Sequence, residues 1–185
     1  MQYLEPVNYV CEITRIPLPD GSLDCVLCTE VLEHVVDPVA VLTEFHRLIK
    51  PGGKVLLTAP QSSYVHMEPY HYYGGFTRYW YEHWLPHSGF TVESITPQGG
   101  PGRLAVSSLQ GFYYAWRASE QDLSKIKRTF SRLCRIVFAK LPIQYVIPWL
   151  VGKFDHRLSG NQSCIGFMVV ATRGNSKPEP IKGDS

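Results

Sequence analysis

No run of about twenty apolar residues occurs in this chain, so none of it is long enough to cross a bilayer as a helix. Charge of either sign is scarce. Lys and Arg number 18, Asp and Glu 16, and the net charge is only +2. A surplus that small gives no field to hold nucleic acid, and no nucleic-acid partner is expected. Cysteines are few, odd in number and dispersed: Cys11, Cys25, Cys28, Cys134 and Cys164. No secretory signal precedes them, so they read as reduced thiols of a cytoplasmic protein. Cys25 and Cys28 have C-x-x-C spacing, but no second pair follows. On a strand, positions three apart face opposite sides and cannot share one ion. There is no internal repeat. What remains is one soluble domain of 185 residues, 44% hydrophobic, large enough to bury a real core.

The pieces of that domain follow from pattern. Asn8 to Ile13 is a short β-like run, and Pro17, Pro19 and Asp20-Gly21 break it. Asp24 to Thr29, DCVLCT, has the continuous apolar character of a strand covered on both faces. Asp37 is placed to cap a helix, with Pro38 at its first position. Val41, Leu42, Phe45, Leu48 and Ile49 then recur at helical spacing, and Pro51-Gly52-Gly53 stops the helix. Lys54 to Ala59 is the next strand, completing a βαβ unit.

Residues 60–76 lack a period and read as a long loop rich in His, Tyr and Gly. Thr77 caps a helix to Ser88 with Trp80, Trp84 and Leu85 on its inner face. Pro86 distorts its last turn. Phe90 to Ile95 is a strand. Arg103 to Arg117 is ambiguous, with helix one reading. Asp122 to Leu141 is a helix whose stripe is Ile126, Phe130, Leu133, Val137 and Leu141. Ser163 to Thr172 is the last strand, and 174–185 reads as a disordered tail.

The stretch YVCEITRIPLPDGSLDCVLCTEVLEHVVDPVAVLTEFHRLIKPGGKVLLTAP resembles the second half of a class I S-adenosylmethionine-dependent methyltransferase. HSGFTVESI is similar to a late strand of that family, and the likeness covers roughly 8–97 with 163–172 as the last strand. The resemblance implies an α/β fold: a partial Rossmann-like, mostly parallel sheet with helices on both faces. Its strands would be 3, 4, 5, 7 and 6 of the family order, with residues 103–160 a helical insertion or lid before the last strand. Strands 1 and 2 and the glycine-rich loop between them have no counterpart ahead of Met1. GGPGRLA, residues 99–105, has glycine-loop lettering, but Pro101 carries no N–H to aim at a ligand, so an ordinary turn is expected.

The same resemblance implies roles. Glu12 and Ile13 would lie beside the adenine of S-adenosylmethionine; the alternative is a surface glutamate after an edge strand. Cys28, Thr29 and Glu30 would contact the cofactor's methionine end, or be structural. His34 and His71 are the candidate bases for taking a proton from the methyl acceptor, since imidazole titrates near neutrality. Tyr70, Tyr72, Tyr73 and Phe76 either wall a pocket, with Gly74-Gly75 letting the loop move, or pack the loop onto the sheet. Glu30, Glu33 and His34 share one face if a helix begins at Glu30, and could then ligate a divalent ion with His66 or His71. EVLEH is similar to the metal-binding segment of small-RNA 2′-O-methyltransferases and ubiquinone-pathway O-methyltransferases. The plainer reading is a helix entry with solvated glutamates, and no metal is assigned.

The expected function is methyl transfer to a small molecule. The alternative is a non-catalytic methyltransferase-like remnant acting as a binding or membrane-surface module. Residues 122–154, basic on one helix face and apolar beyond, are the candidate for peripheral membrane contact, against a lid packed over the pocket. An exposed strand edge is the candidate for self-association.

Overall fold

The computed structural model describes residues 8–119, 124–140, 142–153, 155 and 164–175. Among these, four strands form one sheet in the order β1-β2-β4-β3: β1 Leu23–Thr29, β2 Ile49–Pro60, β3 Phe90–Gln98 and β4 Gly166–Arg173. β1 and β2 run parallel, whereas β4 is antiparallel to both β2 and β3. The sheet is therefore mixed, not mostly parallel. The connections explain this. Helix α1, Pro38–Leu48, returns the chain for a parallel pairing, and the late strands meet around a reversal instead.

The strand expected over Asn8–Ile13 does not form. Those residues turn instead, with the Arg15 N–H donating to the Glu12 carbonyl, and Ile13 and Ile16 pack on the core from outside the sheet. Nothing among the described residues pairs with the second edge of β1.

Asp37 caps α1 as its position implies, its Oδ1 accepting from the N–H groups of Val39 and Ala40. Val41, Leu42, Phe45 and Leu48 are buried beneath the sheet. β2 starts earlier than its apolar run suggests. Ile49 already pairs with Leu23, and the register then jumps so that Cys25 meets Lys54. The bulge holds Pro51-Gly52-Gly53, and a Cβ on Gly53 would lie 2.6 Å from the Asp24 carbonyl oxygen.

Helix α2, Arg78–His87, buries Tyr81 and Leu85 completely; Trp80 and Trp84 are partly buried against the same core. The ambiguous segment is helix α3, Pro101–Ser119. Helix α4 covers Lys125–Cys134, π-helical turns cover Arg135–Lys140 and Pro142–Val146, and α5 covers Ile147–Gly152. Of the apolar stripe, Phe130, Leu133 and Val137 are exposed, while Arg135 is buried. The tail beyond Asn175 lies outside the described residues, as do Asp122 and Leu141.

Candidate functional site

The carboxyl end of β1 builds the site. Cys28 pairs with Leu57 and Thr29 with Thr58. The Glu30 N–H then donates to the Thr58 carbonyl at 2.9 Å, and the Thr58 hydroxyl donates to the Glu30 carboxylate at 2.8 Å. Glu30 adopts a left-handed φ of 53°, a cost that a non-glycine residue bears only where its surroundings impose it. The chain leaves the sheet there and closes a single 3-10 turn, Leu32–His34. No helix begins at Glu30, so the face expected to unite Glu30, Glu33 and His34 does not exist. The 3-10 turn instead buries Glu33 at 1% exposure, which overturns its reading as a solvated glutamate.

The loop after β2 closes over this turn. Tyr72 and Tyr73 both donate backbone N–H groups to the Glu33 carbonyl, and the Tyr73 hydroxyl donates to the Val36 carbonyl. That brings His66 and His71 against His34, with ring centroids 4.8 Å and 5.6 Å away. The three imidazoles differ in their partners. His34 presents Nδ1 to the Tyr70 carbonyl and His66 presents Nδ1 to the Tyr64 carbonyl. A carbonyl only accepts, so both carry a hydrogen on Nδ1, and in the neutral ring the lone pair is on Nε2. His34 Nε2 stands 3.7 Å from Glu33 Oε1. His71 has both nitrogens occupied: Nδ1 accepts from the His66 N–H and Nε2 faces the Tyr73 carbonyl at 2.8 Å. It holds the loop in place. Of the two candidate bases, geometry leaves only His34 with a free lone pair.

Glu33 Oε2 is buried with no hydrogen-bond partner. Burial pushes the Glu33 pKa up from the ordinary carboxylate range. Its backbone hydrogen bond opposes the rise, and the nearby Glu30 charge adds to it. Glu33, His34 and His66 each offer a ligand atom within 4.8 Å of the others. Two imidazoles and a carboxylate are a donor set for zinc, iron or another divalent transition ion, and an orphaned buried oxygen is what such an ion would satisfy.

A groove of about 460 Å³ runs along the open edge of β1, lined by Ile13, Ile16, Cys28, Thr29 and Val31 among others. Three residues expected at the cofactor thus share one surface. Glu12 is exposed outside that lining, and the Glu30 carboxylate is held by Thr58. Phe76 is buried in the core among Tyr73, Trp80 and Tyr81, so it packs the loop down; Tyr70 and Tyr72 stay exposed. Gly75 lies against the Gln61 backbone at a positive φ, where a Cβ would collide. Sequence reading missed Tyr81. It is fully buried with an unpartnered hydroxyl, and burial, with the Glu30 and Glu33 charges, raises its pKa. Its spacing of four from Leu85 was the available signal.

The model of the family described as "Methyltransferase domain" matches residues 2–57. The fold agrees over most of the chain with the cyclase SpnF, at a TM-score of 0.52, 13% identity, 91% of this chain and 56% of that one. A Galdieria sulphuraria protein provisionally named a sarcosine dimethylglycine methyltransferase aligns with a TM-score of 0.50 at 15% identity, over 89% of this chain and 58% of that one. Residues 2–57 thus resemble the methyltransferase domain family, and the fold is the Rossmann-like one of these two neighbours. At these identities the structural likeness establishes the fold alone. The chain also matches the ubiquinone biosynthesis O-methyltransferase of Pseudomonas aeruginosa, 55% identical over 38 residues, or 20% of this chain and 16% of that protein. An uncharacterised 37.1 kDa protein in transposon TN4556 of Streptomyces fradiae is 43% identical over 49 residues, 26% of this chain and 14% of its own length. The matched segments are thus a small part of the curated relatives, and the chain spans little more than half of the two solved structures.

Proposed function

We propose that this chain serves S-adenosylmethionine-dependent methyl transfer to a small-molecule acceptor, with His34 taking the acceptor's proton. The observation that carries the reading is the free Nε2 of His34. It lies just past the strand end whose Cys28 and Thr29 line the groove, and beside a buried carboxylate. S-adenosylmethionine brings a methyl group already activated on a sulfonium. The protein has only to align the acceptor and, for a hydroxyl, remove its proton. Ile13 and Val31 offer apolar cover for an adenine ring, and Cys28 and Thr29 offer backbone at the methionine end. Glu12, one residue from Ile13, can reach the exocyclic amine from the rim. His34 is oriented by the Tyr70 carbonyl, and ionised Glu33 would stabilise the imidazolium that forms. His71 positions this arrangement through His66.

The orphaned oxygen of Glu33 favours a second reading of the same residues, in which Glu33, His34 and His66 hold a divalent ion. When bound, the ion would lower the pKa of an acceptor hydroxyl. His34 would then be a ligand and not the base. Five free cysteines and the lack of any bilayer-length apolar helix among the described residues suit a cytoplasmic setting.

Calorimetric titration of residues 1–185 with S-adenosylhomocysteine tests the reading. Micromolar binding supports it, and His34→Asn should then abolish methyl transfer while leaving that binding intact. No binding up to millimolar ligand overturns it in favour of a non-catalytic binding remnant.

A further inference from the structure

Helix α4 is amphipathic in the inverse sense from a helix that packs into a fold. Its inner side is polar. The Ser131 hydroxyl accepts from Trp116 Nε1 at 3.1 Å, and buried Arg135, in the next turn, donates to the Tyr113 hydroxyl at 2.7 Å. Its outer side is apolar. Phe130 is 69% exposed and Leu133 61%, and Ile136 and Val137 continue the exposed row. At 3.6 residues per turn, Phe130 and Leu133 sit at the middle of the outward arc. Lys125 and Arg132 flank them on one side and Lys127 on the other, all three exposed. A second row follows. Tyr145, Val146, Trp149 and Leu150, at i, i+1, i+4 and i+5, are all exposed, and Lys153 Nζ lies 3.9 Å from the centre of the Trp149 ring.

Exposed apolar rows of this kind need something to cover them. Charge decides what. Residues 124–155 contain seven Lys and Arg and one acid, Asp155. That acid is buried, receiving the N–H groups of Gly100 and Gly102. Among the described residues of 124–155 the exposed face is therefore apolar and positive, with no exposed acid. Its complement has an apolar interior beneath an anionic surface, which is an anionic bilayer. Trp and Tyr settle at that boundary, and Lys and Arg stems lie along acyl chains while their heads reach the phosphates.

We infer that residues 125–153 dock this chain peripherally on anionic lipid membranes. Docking is a binding activity separate from methyl transfer and does not rest on it. Phe130 and Leu133 enter the acyl boundary, and Lys125, Lys127 and Arg132 pair with lipid phosphates.

Co-sedimentation of the full chain with phosphatidylcholine vesicles, with and without phosphatidylserine, is the test. Binding should require phosphatidylserine and weaken as salt rises. Lys125→Gln, Lys127→Gln and Arg132→Gln should each weaken it about five-fold at low salt. Phe130→Ser with Leu133→Ser should abolish it with the far-ultraviolet circular dichroism unchanged, since both side chains are exposed. Equal binding to neutral vesicles, or none to anionic ones, overturns the inference. So does self-association that the Phe130→Ser/Leu133→Ser pair disrupts while vesicles stay unbound, because the face would then belong to a second copy.

Discussion

His34 Nε2 faces Glu33 Oε1 across 3.7 Å, although the two residues are adjacent in the chain. Adjacent side chains on a regular helix diverge; here a 3-10 turn after a left-handed residue folds them toward a common centre, and the following loop adds His66. On the second reading of this site, the three donors bind a divalent ion. Titration with Mn²⁺ or Zn²⁺ should show one site. Glu33→Gln or His66→Ala should abolish it. His71→Ala, which only loosens the support of His66, should weaken it roughly 10- to 100-fold. Unchanged affinity in Glu33→Gln would place the ion elsewhere.

A clamp beside the groove sets an acid limit on stability. The Glu44 carboxylate accepts the Ile16 N–H at 2.7 Å and a two-pronged contact from Arg47 Nε and NH2 at 2.8 and 2.7 Å. Arg47 reaches on to the Leu18 and Ile16 carbonyls, so the pair ties residues 16–18 to α1. The Arg47 hydrogen bonds hold the Glu44 pKa below its usual 4.5, against the opposing effect of burial. A depressed carboxylate stabilises the fold above its unfolded pKa and loses that contribution as pH falls through its folded pKa. Glu44→Gln should cost about 2 kcal/mol at neutral pH. In urea unfolding at a series of pH values, the gap to the parent protein should close under acid conditions. A gap independent of pH would mean the effect is packing.

Two cysteines three residues apart should differ sharply in reactivity. Cys25 is exposed; Cys28 is buried, and burial with the nearby Glu33 charge pushes its thiol up to about 12. That leaves roughly a thousandfold less thiolate at neutral pH than an ordinary cysteine. Timed iodoacetamide labelling read by peptide mass spectrometry should modify Cys11 and Cys25 early and leave Cys28 unmodified. Comparable rates at 25 and 28 would show that β1 opens readily.

The glycine-rich segment 99–102 does bind an anion, one belonging to its own chain. Asp155 accepts the N–H groups of Gly100 at 2.7 Å, Gly102 at 2.8 Å and Arg103 at 3.3 Å. The proline between the glycines is not called on to donate. A carboxylate at a helix start satisfies groups the helix leaves unpaired. Asp155→Asn should therefore cost about 1–3 kcal/mol, seen as faster amide exchange in the first turn of α3. Gly100→Ala should do likewise, because its Cβ would lie 2.6 Å from Asp155 Oδ1.

Much of the first half was legible in local pattern. The Asp37 cap, the Val41–Leu48 stripe and the apolar runs of β1 and β2 each express a period or a stereochemical preference, and such signals need no distant partner. The site was legible only in its letters. Glu33, His34, His66 and His71 stood out by residue type, but which of them converge depended on Glu30 bonding to Thr58, a residue 28 positions away. The Asn8–Ile13 run had strand lettering without a strand to pair with, since a strand exists only through its neighbour's hydrogen bonds.

The sequence by itself determined the βαβ unit and the inventory of imidazoles and carboxylates, because periodicity and side-chain chemistry are local. Tertiary structure alone decided the sign of each face and the state of each lone pair. Helix α4 has the same apolar spacing whether that stripe meets a core or solvent. The polar contacts of Ser131 and Arg135 lie on the side of α3, and Phe130 and Leu133 face outward. Likewise an imidazole in a sequence can donate or accept at either nitrogen. The carbonyls of Tyr64 and Tyr70 determine which nitrogen of His66 and His34 stays free, and those carbonyls arrive only when the loop folds.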